Sequence, residues 1–354
     1  DAGISGQVTN FNENGVKRNA NNSNLEYVVG GFRLLRHVGM SFGIIPFTNV
    51  GYDYSTSGYV NKEDKDVTYS NTYSGEGGLH QVYLGAGWSP VKGLAVGANI
   101  GYLWGSINKT VQNAYSNSYY KSLYRTYGTS VHNYKLDLGV QYTQKISKKD
   151  ELTLGLTYTP GHNLHADADM NIISSNAQTS TSDTLAFSIN NAYELPTMMG
   201  AGLMWNHNHQ WKVGFDYTLQ KWGSLGYPTY DAKNNEPWAL RNGVYMDRSK
   251  FNLGFQYCYA ENGRASFLKR VHYRAGVSYA TPYYKVNGVD GPKEISVSAG
   301  FGIPIMNGYN NRSQLNISGQ WVKSSAKDLI KENSFRINIG FTFNEDWFKK
   351  WKMQ

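Results

Sequence analysis

Apolar and polar residues alternate along this chain with a period of two, and they do so many times over. In residues 135–143, Leu136, Leu138, Val140 and Tyr142 alternate with Lys135, Asp137, Gly139, Gln141 and Thr143. In 212–220, Val213, Phe215, Tyr217 and Leu219 alternate with Lys212, Gly214, Asp216, Thr218 and Gln220. In 335–343, Phe335, Ile337, Ile339, Phe341 and Phe343 alternate with Arg336, Asn338, Gly340 and Thr342. Successive side chains of a strand point to opposite faces. Each segment therefore predicts a strand with one greasy face and one small or polar face. No segment of comparable length shows the 3.6-residue period of a helix.

Fourteen such segments can be read, near 1–11, 24–36, 38–56, 78–89, 93–108, 130–146, 150–166, 183–206, 209–223, 244–260, 270–283, 291–303, 312–324 and 332–345. Their connectors alternate in length. Short ones fall at Arg36-His37, Ser89–Lys92, Ser147–Asp150 and His207-Asn208. Long ones, rich in Asn, Ser, Tyr, Lys and Gly, are expected near 12–23, 57–77, 109–129, 167–182 and 224–243. Two later connectors on the short side, about 261–269 and 304–311, are expected to be longer than the other short ones.

Long and short connections on alternate sides, with an even strand count, are the mark of an outer-membrane barrel. In lipid every backbone donor and acceptor needs a partner, so a spanning sheet must close on itself. The predicted fold is an all-β, transmembrane, antiparallel up-and-down β-barrel of about 14 strands, forming a single domain over 1–354. Its termini are expected on the periplasmic side of a Gram-negative outer membrane, in contact with lipid and lipopolysaccharide. A soluble β-sandwich is the alternative. It calls for shorter strands and for loops that do not sort by length. Tyr54, Trp88, Trp104, Trp205, Trp211, Trp222, Trp321 and Trp347 stand at segment ends, where interfacial girdles are expected.

Composition agrees with a barrel. Mean hydropathy is only −0.52, because half of each strand is polar, and no run approaches the 18 or more apolar residues of a membrane helix. Of 354 residues 38 are glycine and 28 tyrosine, and 17% are charged, below the ~25% of average domains. The formal net charge is +8, but the cations are scattered and form no nucleic-acid stripe. A single cysteine, Cys258, excludes an intrachain disulfide and makes a thiolate zinc site implausible.

The final stretch Glu332–Phe348 resembles the last strand and basic tail of FadL/TodX-like barrels from Bacteroidota, which makes 346–354 a short basic, aromatic periplasmic tail. Phe42-Gly43-Ile44-Ile45-Pro46-Phe47 is similar to that family's proline-bearing third strand. Leu195-Pro196-Thr197-Met198-Met199-Gly200-Ala201-Gly202-Leu203 is similar to its eighth. The resemblance implies passive uptake of hydrophobic small molecules, such as long-chain fatty acids or aromatic hydrocarbons. They would bind under the external loops and leave sideways through a break in a strand. Pro46 is the candidate for that break, since proline cannot donate to a ladder. A bulge that bends the wall without opening it is the plainer alternative. The family's N-terminal plug, with its Asn-Pro-Ala-type motif, is not found in this sequence, and neither is a signal peptide.

The alternation places Ile45, Phe47, Leu103, Met198 and Met204 inside, and with Pro46 they form the candidate ligand path. The same residues are equally suited to packing against a plug or an infolded loop. His162, His165, Asp167 and Asp169 fall within eight residues. They are weak metal candidates whose spacing matches no established loop, and solvated rim residues are the simpler account. His207 and His209 flank a tight turn where exposure is expected. Lys62, Glu63, Asp64, Lys65 and Asp66 read as a solvated tip. Gly75-Glu76-Gly77-Gly78 precedes a strand, which excludes a phosphate loop. No outward Ser–His pair emerges, so neither enzyme activity nor a cofactor is expected. Two functions stay open: a channel for a hydrophobic small molecule, and a non-transporting accessory subunit of a larger outer-membrane protein complex for secretion, assembly or uptake.

Overall fold

The computed structural model describes residues 1–13, 16–61, 65–260, 265–286, 288–307, 310–326 and 331–344. The tail at 346–354, Trp347, and Lys62, Glu63 and Asp64 of the predicted loop tip lie outside them. In chain order the strands are β1 (Ala2–Glu13), β2 (Val16–Leu35), β3 (Val38–Tyr59), β4 (Thr68–Val91), β5 (Leu94–Tyr115), β6 (Ser122–Lys145), β7 (Asp150–Thr159), β8 (His162–Asn163), β9 (Ala168–Asn176), β10 (Thr181–Ile189) and β11 (Glu194–Leu195). There follow β12 (Met198–His207), β13 (Trp211–Gln220), β14 (Tyr227–Tyr230), β15 (Trp238–Arg241), β16 (Arg248–Tyr257), β17 (His272–Ala280), β18 (Lys285–Val286), β19 (Val289–Asp290), β20 (Lys293–Asn307), β21 (Asn310–Ser325) and β22 (Lys331–Thr342). One helical turn, α1 (Phe267–Arg270), sits between β16 and β17.

Fourteen of these strands close an antiparallel barrel: β1 to β7, β12, β13, β16, β17 and β20 to β22. β1 pairs with β22 and β6 with β7, so the wall has no seam. The predicted alternation sets the faces. Leu84, Ile100, Leu138, Leu156, Leu203, Phe215, Leu253, Val277, Val297 and Ile337 are all exposed on the outside. Their alternating neighbours Gly85, Asn99, Asp137, Gly155, Gly202, Gly254, Ser278, Ser298 and Arg336 face in. Trp88, Trp205, Trp211 and Trp321 remain exposed at strand ends, as an interfacial girdle requires.

The wall is not of even height. β3 to β6 continue far past the apolar band and are joined by β9 and β10 into a six-stranded sheet standing above one side of the barrel. Most of the connectors predicted at 57–77, 109–129 and 167–182 are therefore strand. On this tall sheet the outer face carries polar residues such as Ser55, Thr72 and Gln112, so the greasy-out alternation ends and the sequence signal ends with it. The connector predicted at 12–23 is mostly β1 and β2, and 224–243 holds the β14–β15 hairpin. Within 304–311 strand runs to Asn307 and again from Asn310, whereas the connection from β16 to β17 holds α1.

A line of irregularities separates barrel from tall sheet. The β3–β4 register shifts between Pro46 and Thr48. The amide of Leu79 then bonds the Thr48 hydroxyl at 3.1 Å, which satisfies a donor the bulge would otherwise leave free. Level with this, Gly77 and Gly105 adopt φ of +105° and +143°. A Cβ on either would meet backbone oxygen at 2.1 Å, so no other residue fits. The Gly75–Gly78 run accordingly lies inside β4 rather than ahead of a strand. Pro160 follows β7 and Pro196 precedes β12, and the two irregular legs between them and the β9–β10 hairpin pair through Leu164 to Tyr193 and Ala192 to Ala166.

Candidate functional site

The bend line is also where the interior turns apolar. Leu79 from β4, Leu103 from β5, Val131 from β6, Leu164 and Ala166 from one irregular leg and Leu195 from the other form a single buried cluster. Phe47, Ile107, Tyr193 and Met198 pack against it. Of the six candidate path residues, the structure brings three together here: Phe47, Leu103 and Met198. Leu103 is fully buried. Ile45 and Pro46 flank the bulge beside the cluster without joining it, each half-buried. Met204 faces in but sits six residues further along β12, roughly 20 Å away at strand rise, where it stays exposed. The cluster partners Leu79, Val131, Leu164, Ala166 and Leu195 are absent from the sequence-derived set. Leu79 and Val131 carried a signal, as inward apolar residues of β4 and β6 at the level of Leu103, whereas Leu164, Ala166 and Leu195 lie off the wall strands and carried none.

β2 and β3 pair from Leu35 and Val38 up to Val28 and Ile44, and the ladder ends there, two residues before Pro46. Above it, Asn19–Tyr27 of β2 and Ile45–Asp53 of β3 are not paired to each other. The Asn49 side-chain amide bridges the parting, donating to Asn24 Oδ1 at 3.0 Å. The outward residues of β3 just below are Phe42 and Ile44, and just above come exposed Thr48 and Asn49. The wall is therefore sealed below Val28 and Ile44; at the parting the outer face of β3 turns polar, while β2 still presents exposed Leu25 opposite Ile4 of β1.

A tyrosine-rich cap lies over the cluster. Trp222 packs on Tyr245 and Tyr283 with ring centroids 5.3 and 5.4 Å apart, and Tyr245 packs edge-on to Tyr227 at 5.4 Å. Backbone bonds from Met246 to Tyr283 and from Lys285 to Val244 stitch the 221–247 and 281–292 connections together. Burial pushes the hydroxyls of Tyr193 and Tyr245 well above the usual tyrosine range, with Tyr227 adding to both. Lys221 clasps the same region. Its ammonium donates to Asp247 Oδ2 at 2.8 Å, while the Gly223 amide donates to Asp247 Oδ1 at 2.9 Å. The β14–β15 hairpin leans on the tall sheet, where the Trp238 indole donates to the Ala168 carbonyl at 2.9 Å. Trp222 and Tyr54 thus belong to the cap and to the tall sheet, where Tyr54 stacks on Tyr73, and not to a lipid girdle.

The weak metal candidates go separate ways. His162 stacks on Tyr134 at 4.3 Å and bonds its carbonyl. His165 meets the Asn191 side chain, Asp167 accepts from the Asn191 amide and Asp169 from the Ser188 hydroxyl. Among the described residues no three His, Cys, Asp or Glu converge. His207 is less solvated than expected, with Nδ1 2.7 Å from Asp150 Oδ1, which also accepts from the Trp205 indole. Cys258 is buried and directs its thiol at the Lys269 and Arg270 carbonyls. Deeper in the lumen the lining is polar, with Arg274 held by Gln256, Asn316 and Gln314.

The comparisons with known proteins agree with this architecture. The family model described as BamG matches residues 1–354. No curated protein matches the sequence. Among solved structures, the Pseudomonas putida toluene transporter TodX is similar at 14% identity and a TM-score of 0.61, covering 96% of this chain and 87% of its own. The Ralstonia pickettii toluene transporter TbuX is similar at 14% identity and a TM-score of 0.58, covering 96% and 88%. A Pseudomonas aeruginosa FadL homologue is similar at 10% identity and a TM-score of 0.55, covering 96% and 88%. At such identities the likeness establishes the fold alone.

Proposed function

The chain belongs to the BamG family, and on that premise we propose that it is a non-transporting accessory barrel, a structural subunit of a larger outer-membrane protein complex. One observation carries this. The apolar interior that a hydrophobic solute would need is already filled by the chain's own side chains. Leu79, Val131, Leu164, Ala166 and Leu195 occupy the surroundings of Leu103, and a dry site so packed has no room for a ligand. Below it the lumen is lined by Gly, Ser, Asn and Arg, which gives a greasy molecule no path. In this reading the long connections face outward, the termini lie in the periplasm, lipid and lipopolysaccharide surround the wall, and the tall sheet and cap meet protein partners.

A second reading keeps the barrel as a channel for hydrophobic small molecules. The shared fold with two toluene transporters and the parting of β2 from β3 at Pro46 favour it. The chemistry of the β3 side does not, because exposed Thr48 and Asn49 and the Asn24–Asn49 bridge put polar groups in the way of a greasy solute there.

The test is purification of the tagged chain from native outer membranes in mild detergent. A defined second outer-membrane protein in fixed stoichiometry supports the accessory role. A chain that purifies alone, from cells that lose fatty-acid uptake when it is deleted, overturns it.

A further inference from the structure

β10 is the last strand of the tall sheet. It pairs along all nine residues with β9, and among the described residues its other edge has no ladder partner. Unpaired strand edges recruit other strands, and proteins usually blunt them with proline, lysine, a bulge or a covering segment. β10 has none of the first three. Its register with β9 is unbroken from Thr181 to Ile189. Its only charge is Asp183, 4.0 Å from Lys121, which stands just ahead of β6. Six consecutive residues, Thr181–Ala186, are exposed, so neither face is sheltered.

The side chains of β10 also leave the sheet unfinished. Leu185, Phe187 and Ile189 stand opposite Ile172, Met170 and Ala168 of β9, all three of them buried. Phe187 is met by Tyr230 of the β14–β15 hairpin at 6.0 Å. Leu185, in the same apolar layer, is left 54% exposed. The opposite face of β10 carries Ser182, Thr184, Ala186 and Ser188. The other free edge of the tall sheet, on β3, differs. Pro46 stands at its base, and there the Asn49 amide bridges it to Asn24 of β2.

We propose that the free edge of β10 is the docking edge of this subunit, and that it takes an extended segment of a partner polypeptide as the next strand of the tall sheet. Unmet backbone donors and acceptors in a straight row can be satisfied together only by another extended backbone. The alternation of β10 specifies the rest. The incoming strand carries an apolar side chain on the Leu185 face and small polar ones on the Thr184 face. The proposal names the contact surface of the accessory role and so rests on it.

The test uses the full tagged chain in its native membrane. A photo-cross-linking amino acid is placed in turn at Ser182, Thr184 and Ala186, with Gln112, in the middle of the same sheet, as control. Cross-links are mapped by mass spectrometry. In parallel, the stoichiometric partner is quantified for Leu185→Lys and for the conservative Leu185→Val, with gel mobility of unheated samples to show that each barrel is folded. The expected result is adducts from 182, 184 and 186 to every second residue of one partner segment, none from 112, a drop of tenfold or more in partner recovery for Leu185→Lys and little change for Leu185→Val. Undiminished recovery with Leu185→Lys and no ordered adducts refutes the edge while leaving the accessory role standing. Adducts to a second copy of this chain refute the hetero-partner. If the unaltered chain carries no stoichiometric partner, the accessory role fails and the docking edge falls with it.

Discussion

Leu103→Ala separates a structural cluster from a ligand path. Leu103 is completely buried; its neighbours Leu79 and Val131 come from the adjoining wall strands β4 and β6, and Leu164 and Leu195 from the two legs, which are hydrogen-bonded to each other. Such surroundings cannot close over the missing methyl groups. The loss should fall toward the upper end of buried Leu→Ala substitutions, about 3–5 kcal/mol. Met204→Ala is the control. It also truncates an inward side chain, but one that stays 38% exposed and lies outside the cluster, so it should cost far less. Equilibrium urea unfolding of the barrel in detergent micelles, followed by tryptophan fluorescence and by the gel mobility of unheated samples, measures both. A Leu103→Ala loss below about 1 kcal/mol, or equal to that of Met204→Ala, would refute the idea that this part of the interior is filled by well-packed protein.

Three further outcomes are expected. Pro46→Val should leave uptake of a labelled fatty acid by cells unchanged, because the wall below Ile44 is sealed; lowered uptake would make Pro46 a gate. Leu156→Arg, at a lipid-facing position that is 62% exposed in the apolar band, should cost about 2–4 kcal/mol if it lies near the bilayer midplane; no loss in a lipid-bilayer unfolding assay would argue against a membrane wall. The Lys221 ammonium and the Gly223 amide hold the Asp247 carboxyl below the usual carboxylate range, and Asp247 raises the Lys221 pKa. The clasp should therefore persist from about pH 5 to 9, weaken as pH falls through the lowered Asp247 value, and weaken again as pH rises through the raised Lys221 value. Limited proteolysis of 222–246 should be flat across that window and rise at both ends, while Asp247→Asn should be cut faster at neutral pH.

The barrel was legible because lipid imposes one rule on every wall strand, greasy out and small or polar in, and segments such as 135–143 and 335–343 obey it. The tall sheet was not legible for the same reason. Once β3 to β6 leave the lipid, outward positions such as Ser55, Thr72 and Gln112 no longer need to be apolar, so strand reads as loop. Half of the candidate site could be read. Phe47, Leu103 and Met198 follow from the inward parity of their strands. Leu79 and Val131 obey the same parity, but Leu164, Ala166 and Leu195 lie on the legs between Pro160 and Pro196, where period-two counting fails. The tyrosine cap is invisible in sequence, since it depends on which of several long connections cross the mouth.

Accumulation of a radiolabelled long-chain fatty acid by cells with and without this chain tests the central claim most directly. The filled interior predicts equal uptake in the two strains. Uptake that falls on deletion and returns with the unaltered chain would contradict it, and would make the packed cluster around Leu103 a site that opens for a solute.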